Sequence, residues 1–150
     1  MDRAIFVYSI YIETTLVRLW DSLTKGDITC QYWYGRRVDS DWKVGSPVTF
    51  WLDYSQDIDM NGKVLEYKLL HRLSFSWDVQ MKFGPKQGGF SRVSFDLEAL
   101  GSVVKCTVTH DELKMGEKAP SGISEGWPII MCSLKSFLET GKPLSITSKP

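Results

Sequence analysis

The chain is expected to form a single α+β domain, a curved antiparallel sheet of about six to seven strands gripping one C-terminal helix. Three observations lead there. Residues 91–112 alternate polar and apolar positions over nearly their whole length. They run into one amphipathic helix, which opens at Gly126-Trp127 and closes at Leu138 to Gly141. Ahead of them stands an apolar first strand followed directly by two short helical segments, and between these ends lie only short, turn-linked strand patterns.

The elements follow in order. Residues 4–12 are rich in β-branched and aromatic side chains and read as the first strand, with both faces apolar. Thr14 is the expected N-cap of a helix over 15–24 that aligns Leu16, Trp20 and Leu23 on one face, with Val17 and Leu19 flanking and Gly26 as its C-cap. Asp27 starts a second short helix that ends before Gly35. Residues 36–41 and 48–54 read as strands around a Gly-Pro turn at 43–47. Asn61-Gly62 is a strong hairpin signal. From 65 to 77, Leu65, Tyr67, Leu69, Leu73, Phe75 and Trp77 share one parity. Glu66, Arg72 and Asp78 take the other, where they pair across strands on an outer face. A break near Leu70-His71 divides this run, because one strand of that length would be unusual.

Residues 81–89 read as a polar, glycine-rich loop. Val93, Phe95 and Leu97 point inward, Gly101-Ser102 turns the chain, and Val104, Cys106, Val108 and His110 share the inward face of the last strand. After a loop at 117–122 comes the helix, with Trp127, Ile130, Met131, Leu134, Phe137 and Leu138 as its apolar stripe and Pro128 in its first turn. Residues 144–150 are expected to fray. No second domain, linker or repeat is evident, so the expectation is one domain over 1–150.

Composition narrows the function classes. Eighteen basic and eighteen acidic residues balance to zero, which lacks the basic footprint of a nucleic-acid binder or of a polybasic membrane contact. The apolar N-terminal run is too short to span a bilayer and has no small-residue cleavage site after it, so a cytoplasmic protein is expected. Cys30, Cys106 and Cys132 are odd in number and widely spaced, and form no CxxC pair; they read as small buried hydrophobes. Six Trp, six Tyr and seven Phe stand out; such side chains can fill a core and can also line a pocket.

Several segments resemble one family. Tyr11-Ile12-Glu13-Thr14-Thr15-Leu16-Val17-Arg18-Leu19-Trp20 is similar to the helix-start motif of the SRPBCC superfamily, in the branch resembling the heat shock protein 90 ATPase activator C-terminal domain. Gln31-Tyr32-Trp33-Tyr34-Gly35, the stretch from Ser40 to Pro47, Val108-Thr109-His110-Asp111-Glu112-Leu113, and Gly126-Trp127 through Gly141-Lys142-Pro143-Leu144 resemble the same branch in the same order. Two departures stand out: Thr15 replaces a proline, and Leu69-Leu70 stands where a Pro-Pro is common. The resemblance implies the START-like helix-grip fold with a hydrophobic cavity, and no single activity.

The candidate ligand-binding residues are Tyr8, Trp33, Trp51, Tyr67, Trp77, Phe95, His110, Trp127, Met131 and Leu134. Trp51 is the exception in parity, since Phe50 and Leu52 oppose it. Core packing alone would account for most of them. His110 is the one catalytic candidate, an acid/base that Glu112 or a tyrosine would orient; a structural histidine bonded to helix or loop is the competing reading. His110 and Glu112 make too few ligands for a metal, with His71 at a distant turn, so neither metal nor cofactor is expected. The chain has no GxSxG, no phosphate-binding loop and no spaced carboxylate pair. Three functions follow: binding of a small hydrophobic or aromatic molecule of lipid-, polyketide- or flavonoid-like type; a cyclase or hydrolase using His110; and a co-chaperone acting on heat shock protein 90. The co-chaperone reading is weakened because no residues remain for the additional N-terminal domain of such activators.

Overall fold

The computed structural model describes residues 5–52, 55–79, 91–111 and 121–147, with backbone alone at 59, 78–79 and 121–125. Among these residues the elements are β1 (Phe6–Ile12), α1 (Leu16–Thr24), α2 (Gly26–Tyr32), β2 (Arg36–Ser40), β3 (Pro47–Leu52), β4 (Ile58–Lys68), β5 (Arg72–Val79), β6 (Ser91–Leu100), β7 (Val103–Asp111) and α3 (Ser121–Thr140). The strands form one curled antiparallel sheet in the order β1-β7-β6-β5-β4-β3-β2, with the helices completing an α+β helix-grip architecture. Consecutive strands neighbour one another from β2 to β7, as short connections require. The first strand instead joins the last, with Phe6 opposite His110 and Ile12 opposite Val104.

The concave face carries the core. Val104, Cys106, Val108 and His110 of β7 are buried, as are Val93, Phe95 and Leu97 of β6. Leu73 and Phe75 of β5, Met60 and Val64 of β4, and Val48 and Phe50 of β3 continue this surface. Trp127, Ile130, Met131, Leu134 and Leu138 of α3 are buried among them. The end of α3 is tied to the start of the chain: Lys135 Nζ donates to the Tyr11 carbonyl at 2.6 Å, and Glu139 Oε2 accepts from Glu13 N–H at 2.8 Å. On β1 the ambiguous parity resolves with Ile10 and Ile12 buried and Ile5, Val7 and Tyr11 exposed. On the outer face Arg72 pairs with Asp96 at 2.7 Å and with Glu66 at 3.3 Å, and Arg92 forks onto Asp111 at 2.9 and 2.7 Å. Beneath these charges Ser94 donates to Ser74 at 3.0 Å, both buried. The side chain of Asp78 lies outside the described residues.

Several expectations need correction. Asn61-Gly62 is no hairpin turn; both residues lie inside β4, and the chain reverses between Leu52 and Ile58, where Leu52 N–H donates to the Asp57 carbonyl at 2.8 Å. Gly62 is there because β5 comes too close for a side chain. The alternation of 65–77 does not hold through β4 either. A bulge between Val64 and Glu66 shifts the register, so Val64 is buried while Leu65 is 39% exposed; Leu69 is exposed beside the turn. The break near Leu70-His71 is real, with Leu70 at φ 68°. The N-cap of α1 is Thr15, whose hydroxyl accepts from Arg18 N–H at 3.2 Å, and not Thr14. Leu19 is fully buried on α1, whereas Val17 is exposed. Gly26 opens α2 instead of capping α1, whose C-cap is Lys25. A Cβ on Gly26 would lie 2.5 Å from the Val38 carbonyl oxygen, so this glycine lets α2 pack on β2. α3 starts at Ser121, so Ser121 and Gly122 are helical and Pro128 is interior, where it removes one N–H from the ladder. The tail is docked through Thr147: a 3-10 turn, Ser145–Thr147, buries Thr147 against Ser133, their hydroxyls 2.7 Å apart. The loop at 81–89 lies outside the described residues.

Candidate functional site

The site is built where five aromatic-bearing elements, α2, β3, β5, β6 and α3, meet on the concave face. Trp33 follows α2 as its C-cap residue, with its N–H on the Thr29 carbonyl at 3.0 Å, and so leaves the helix heading into the sheet. It meets Phe50 of β3 at 4.9 Å between ring centroids, Trp127 of α3 at 5.5 Å and Trp77 of β5 at 6.3 Å. Trp77 and Trp127 are 5.6 Å apart, and Phe95 meets Trp127 edge-on at 5.8 Å. Phe75 joins through Phe50 and Trp77 at 5.9 and 6.3 Å. Trp33 and Trp127 are buried, while Trp77 is half-buried and brings the cluster to the surface.

His110 sits at the edge of these rings, fully buried, its ring 5.7 Å from Trp77. Trp127 Nε1–H donates to His110 Nδ1 at 3.1 Å, which makes Nδ1 the unprotonated nitrogen. The proton is therefore on Nε2, which donates to Ser91 Oγ at 2.6 Å; the serine hydroxyl faces the Trp77 carbonyl at 3.4 Å. This chain joins β7, α3, β6 and β5 through one imidazole. Burial pushes the His110 pKa down to about 4, and the Asp111 carboxylate opposes that only weakly. Asp111 is itself held below the usual carboxylate range by its fork with Arg92. With both nitrogens engaged, the neutral His110 imidazole ties sheet to helix. Its partners are a serine and a tryptophan and not a tyrosine, and Glu112 lies outside the described residues.

Among the described residues, one polar atom of the cluster has no partner. Trp33 Nε1 is buried and makes no hydrogen bond. An indole N–H can only donate, and leaving one unmet in the interior costs about 1–3 kcal/mol. A native chain tolerates that where the group has another use or an unseen partner.

The remaining predicted residues fall in different places. Met131 and Leu134 belong to the buried face of α3. Tyr8 reaches α3 from β1, its hydroxyl 3.7 Å from Cys132 Sγ, and this contact with burial raises its pKa. Tyr67 packs edge-on against Trp20 of α1 at 5.4 Å, apart from the tryptophan cluster. Trp51 lies on the outer face with the Arg37 guanidinium 5.5 Å over its ring, so it is no wall of the concave side; Phe50 takes that place. Phe50, Phe75 and Ser91 were not among the sequence candidates, though the parity of Phe50 against Trp51 was a usable signal. His71 is exposed at the β4–β5 turn. Among the described residues, no group of three or more His, Cys, Asp or Glu could hold a metal, and no helix is long and apolar enough to cross a membrane.

A curled sheet closed by a C-terminal helix over an aromatic interior defines a helix-grip protein with the SRPBCC-type fold. More narrowly, residues 13–139 match the family described as Activator of Hsp90 ATPase homolog 1-like protein, and the chain belongs to that family. The fold is similar to protein MLL2253 from Mesorhizobium loti (20% identity, TM-score 0.75, over 90% of this chain and 96% of that one). It is also similar to the Aha1 dimer from Colwellia psychrerythraea (20%, 0.73, 93% and 98%). A third likeness is to PFC0360w from Plasmodium falciparum, described as an HSP90 activator (16%, 0.67, 83% and 87%). At these identities the likeness is one of fold. No curated protein matches the chain.

Proposed function

We propose that the chain binds a small hydrophobic or aromatic molecule, lipid-, polyketide- or flavonoid-like, between the sheet and α3. The observation that carries this reading is the meeting of Trp33, Trp77 and Trp127 in an uncharged interior, with Trp77 half-buried at its edge. Binding would come from apolar burial against these rings. His110 serves by holding Trp127 in place, because its nitrogens are already occupied. Titration of a panel of aromatic metabolites should quench tryptophan fluorescence saturably and raise the melting temperature. A ligand at a hundred times its Kd adds about 2.7 kcal/mol to stability. Trp77→Ala should weaken the binding. A panel that leaves both signals untouched defeats the proposal.

A second reading is favoured by the family itself and by the description of the Plasmodium neighbour: regulation of a heat shock protein 90 ATPase. It predicts a rise in the chaperone's ATP turnover when the purified chain is added. An unchanged rate over a wide concentration range disposes of it.

A further inference from the structure

Resting on the binding reading above, we propose that the Trp33 indole N–H is the recognition donor of the site. The ligand it selects is a neutral, flat aromatic carbonyl compound, of the ketone, quinone or flavone kind, and neither a hydrocarbon nor a carboxylic acid. Four observations converge on this.

Trp33 Nε1 is shielded from solvent and has no hydrogen-bond partner among the described residues. It is held at the centre of the ring cluster and not at a frayed edge, in contact with residues of α3, β3 and β5. The other polar groups next to the cluster are satisfied among themselves: Trp127 Nε1–H is spent on His110 Nδ1, and His110 Nε2–H on Ser91 Oγ. Beside the ring cluster the described side chains therefore offer an incoming molecule a donor and no unmet acceptor; the other unpartnered buried atom, Thr14 Oγ1, lies just ahead of α1 and belongs to no ring pair of the cluster. Finally, the described cations near this end of the sheet are committed on its outer face, Arg92 to Asp111 and Arg72 to Asp96.

Chemistry then selects the ligand. A molecule bearing a hydroxyl or amide N–H would bury a donor with nothing to receive it, and an anion would be stripped of water with no positive group to meet it. A carbonyl oxygen needs one donor, which Trp33 supplies in the plane of its ring. The aromatic skeleton would rest against the surrounding rings, of which Phe50 and Trp127 are inclined to Trp33 by 59° and 62°.

The test uses 9-fluorenone and fluorene, two rigid tricycles that differ by C=O against CH2. Affinities for both are measured by fluorescence titration for the parent chain and for Trp33→Phe, which keeps a ring and removes the N–H. The ratio of the fluorene Kd to the fluorenone Kd should fall about fivefold in the variant, the size of one ordinary hydrogen bond. Indole N–H resonances of the 15N-labelled parent give a readout that does not depend on the variant folding. The Trp33 signal should move downfield with fluorenone and stay nearly still with fluorene. A ratio unchanged by Trp33→Phe, or a Trp33 resonance that responds alike to both compounds, overturns this inference while leaving the binding reading intact. Failure of fluorenone to bind, where other aromatics do, also overturns it; failure of every aromatic overturns both.

Discussion

Gly62→Ala is expected to cost at least about 3 kcal/mol of folding stability, lowering the melting temperature by roughly 10 °C. A Cβ built on Gly62 lies 1.8 Å from the Ser76 carbonyl oxygen and 2.8 Å from its carbonyl carbon. Both are backbone atoms, so no side-chain rotation relieves the overlap; β4 and β5 must part. The ladder is already irregular there. Pairs run from Met60↔Val79 and Asn61↔Asp78 to Val64↔Phe75, and Lys63 N–H bonds to the Ser76 hydroxyl at 2.8 Å. Moving β5 outward would also carry Phe75 and Trp77 away from Phe50, loosening the ring cluster. Gly126→Ala is the matching control. A Cβ at that helical position meets nothing within 4 Å among the described residues, so the change should be neutral or stabilising by up to about 1 kcal/mol. If thermal melts place Gly62→Ala level with Gly126→Ala, the close approach of the two strands is wrong.

The same residue shows what local sequence signals can carry. Asn-Gly favours a tight hairpin, and a glycine needed for close strand approach looks identical in one dimension. The true reversal before β4 has Gln56 at φ 60° and no glycine among its described residues, so its turn chemistry was muted beside the decoy. Period-2 alternation located β6 and β7 well, because both are regular and pair without a register shift. It misplaced Leu65 because that residue is the extra one of a bulge, left out of the pairing between Val64 and Glu66, while Tyr67 beyond it faces inward opposite Leu73. The α3 stripe from Trp127 to Leu138 was legible for a similar reason: a helix face tolerates a wrong start, so beginning at Ser121 instead of Gly126 moved the boundary and left Trp127, Ile130, Met131, Leu134 and Leu138 buried, with Phe137 of the expected stripe only partly so.

The site was legible only as far as single-strand parity reaches. Val104, Cys106 and Val108 aim inward, and His110 follows them to full burial. That His110 lies between Trp127 and Ser91 depends on where α3 and β6 cross β7, which no spacing in the sequence encodes. The unmet N–H of Trp33 is a negative fact about three dimensions. A tryptophan in a sequence announces area to bury; whether its nitrogen finds a partner is decided by packing.

His110 supplies the other large effect, and it is a dependence on pH. In the unfolded chain an imidazole has its ordinary pKa of 6.5, whereas burial lowers it to about 4 in the fold. Between those values the unfolded chain binds a proton that the native protein refuses. Native stability is therefore complete above pH 6.5 and falls as the pH drops towards 4, by about 3 kcal/mol in all. The folded carboxylates behave differently. Asp111, depressed below 3.8 by Arg92, surrenders its contribution only under that window, and Glu139, lowered from 4.5 by its bonds to Glu13 and Lys135, acts only at its foot. Both persist in a His110→Leu variant and cancel in the comparison. That variant should lose about 2–4 kcal/mol at pH 7, because Trp127 Nε1–H is left buried without an acceptor. It should also lose the slope between pH 6.5 and 4 in urea-unfolding curves. The alternative has a distinct signature: an acid/base histidine available to a substrate would titrate in the folded protein near 6.5, leaving stability flat across the same window. Such a result would detach His110 from Trp127 and return it to the chemistry that the sequence first suggested.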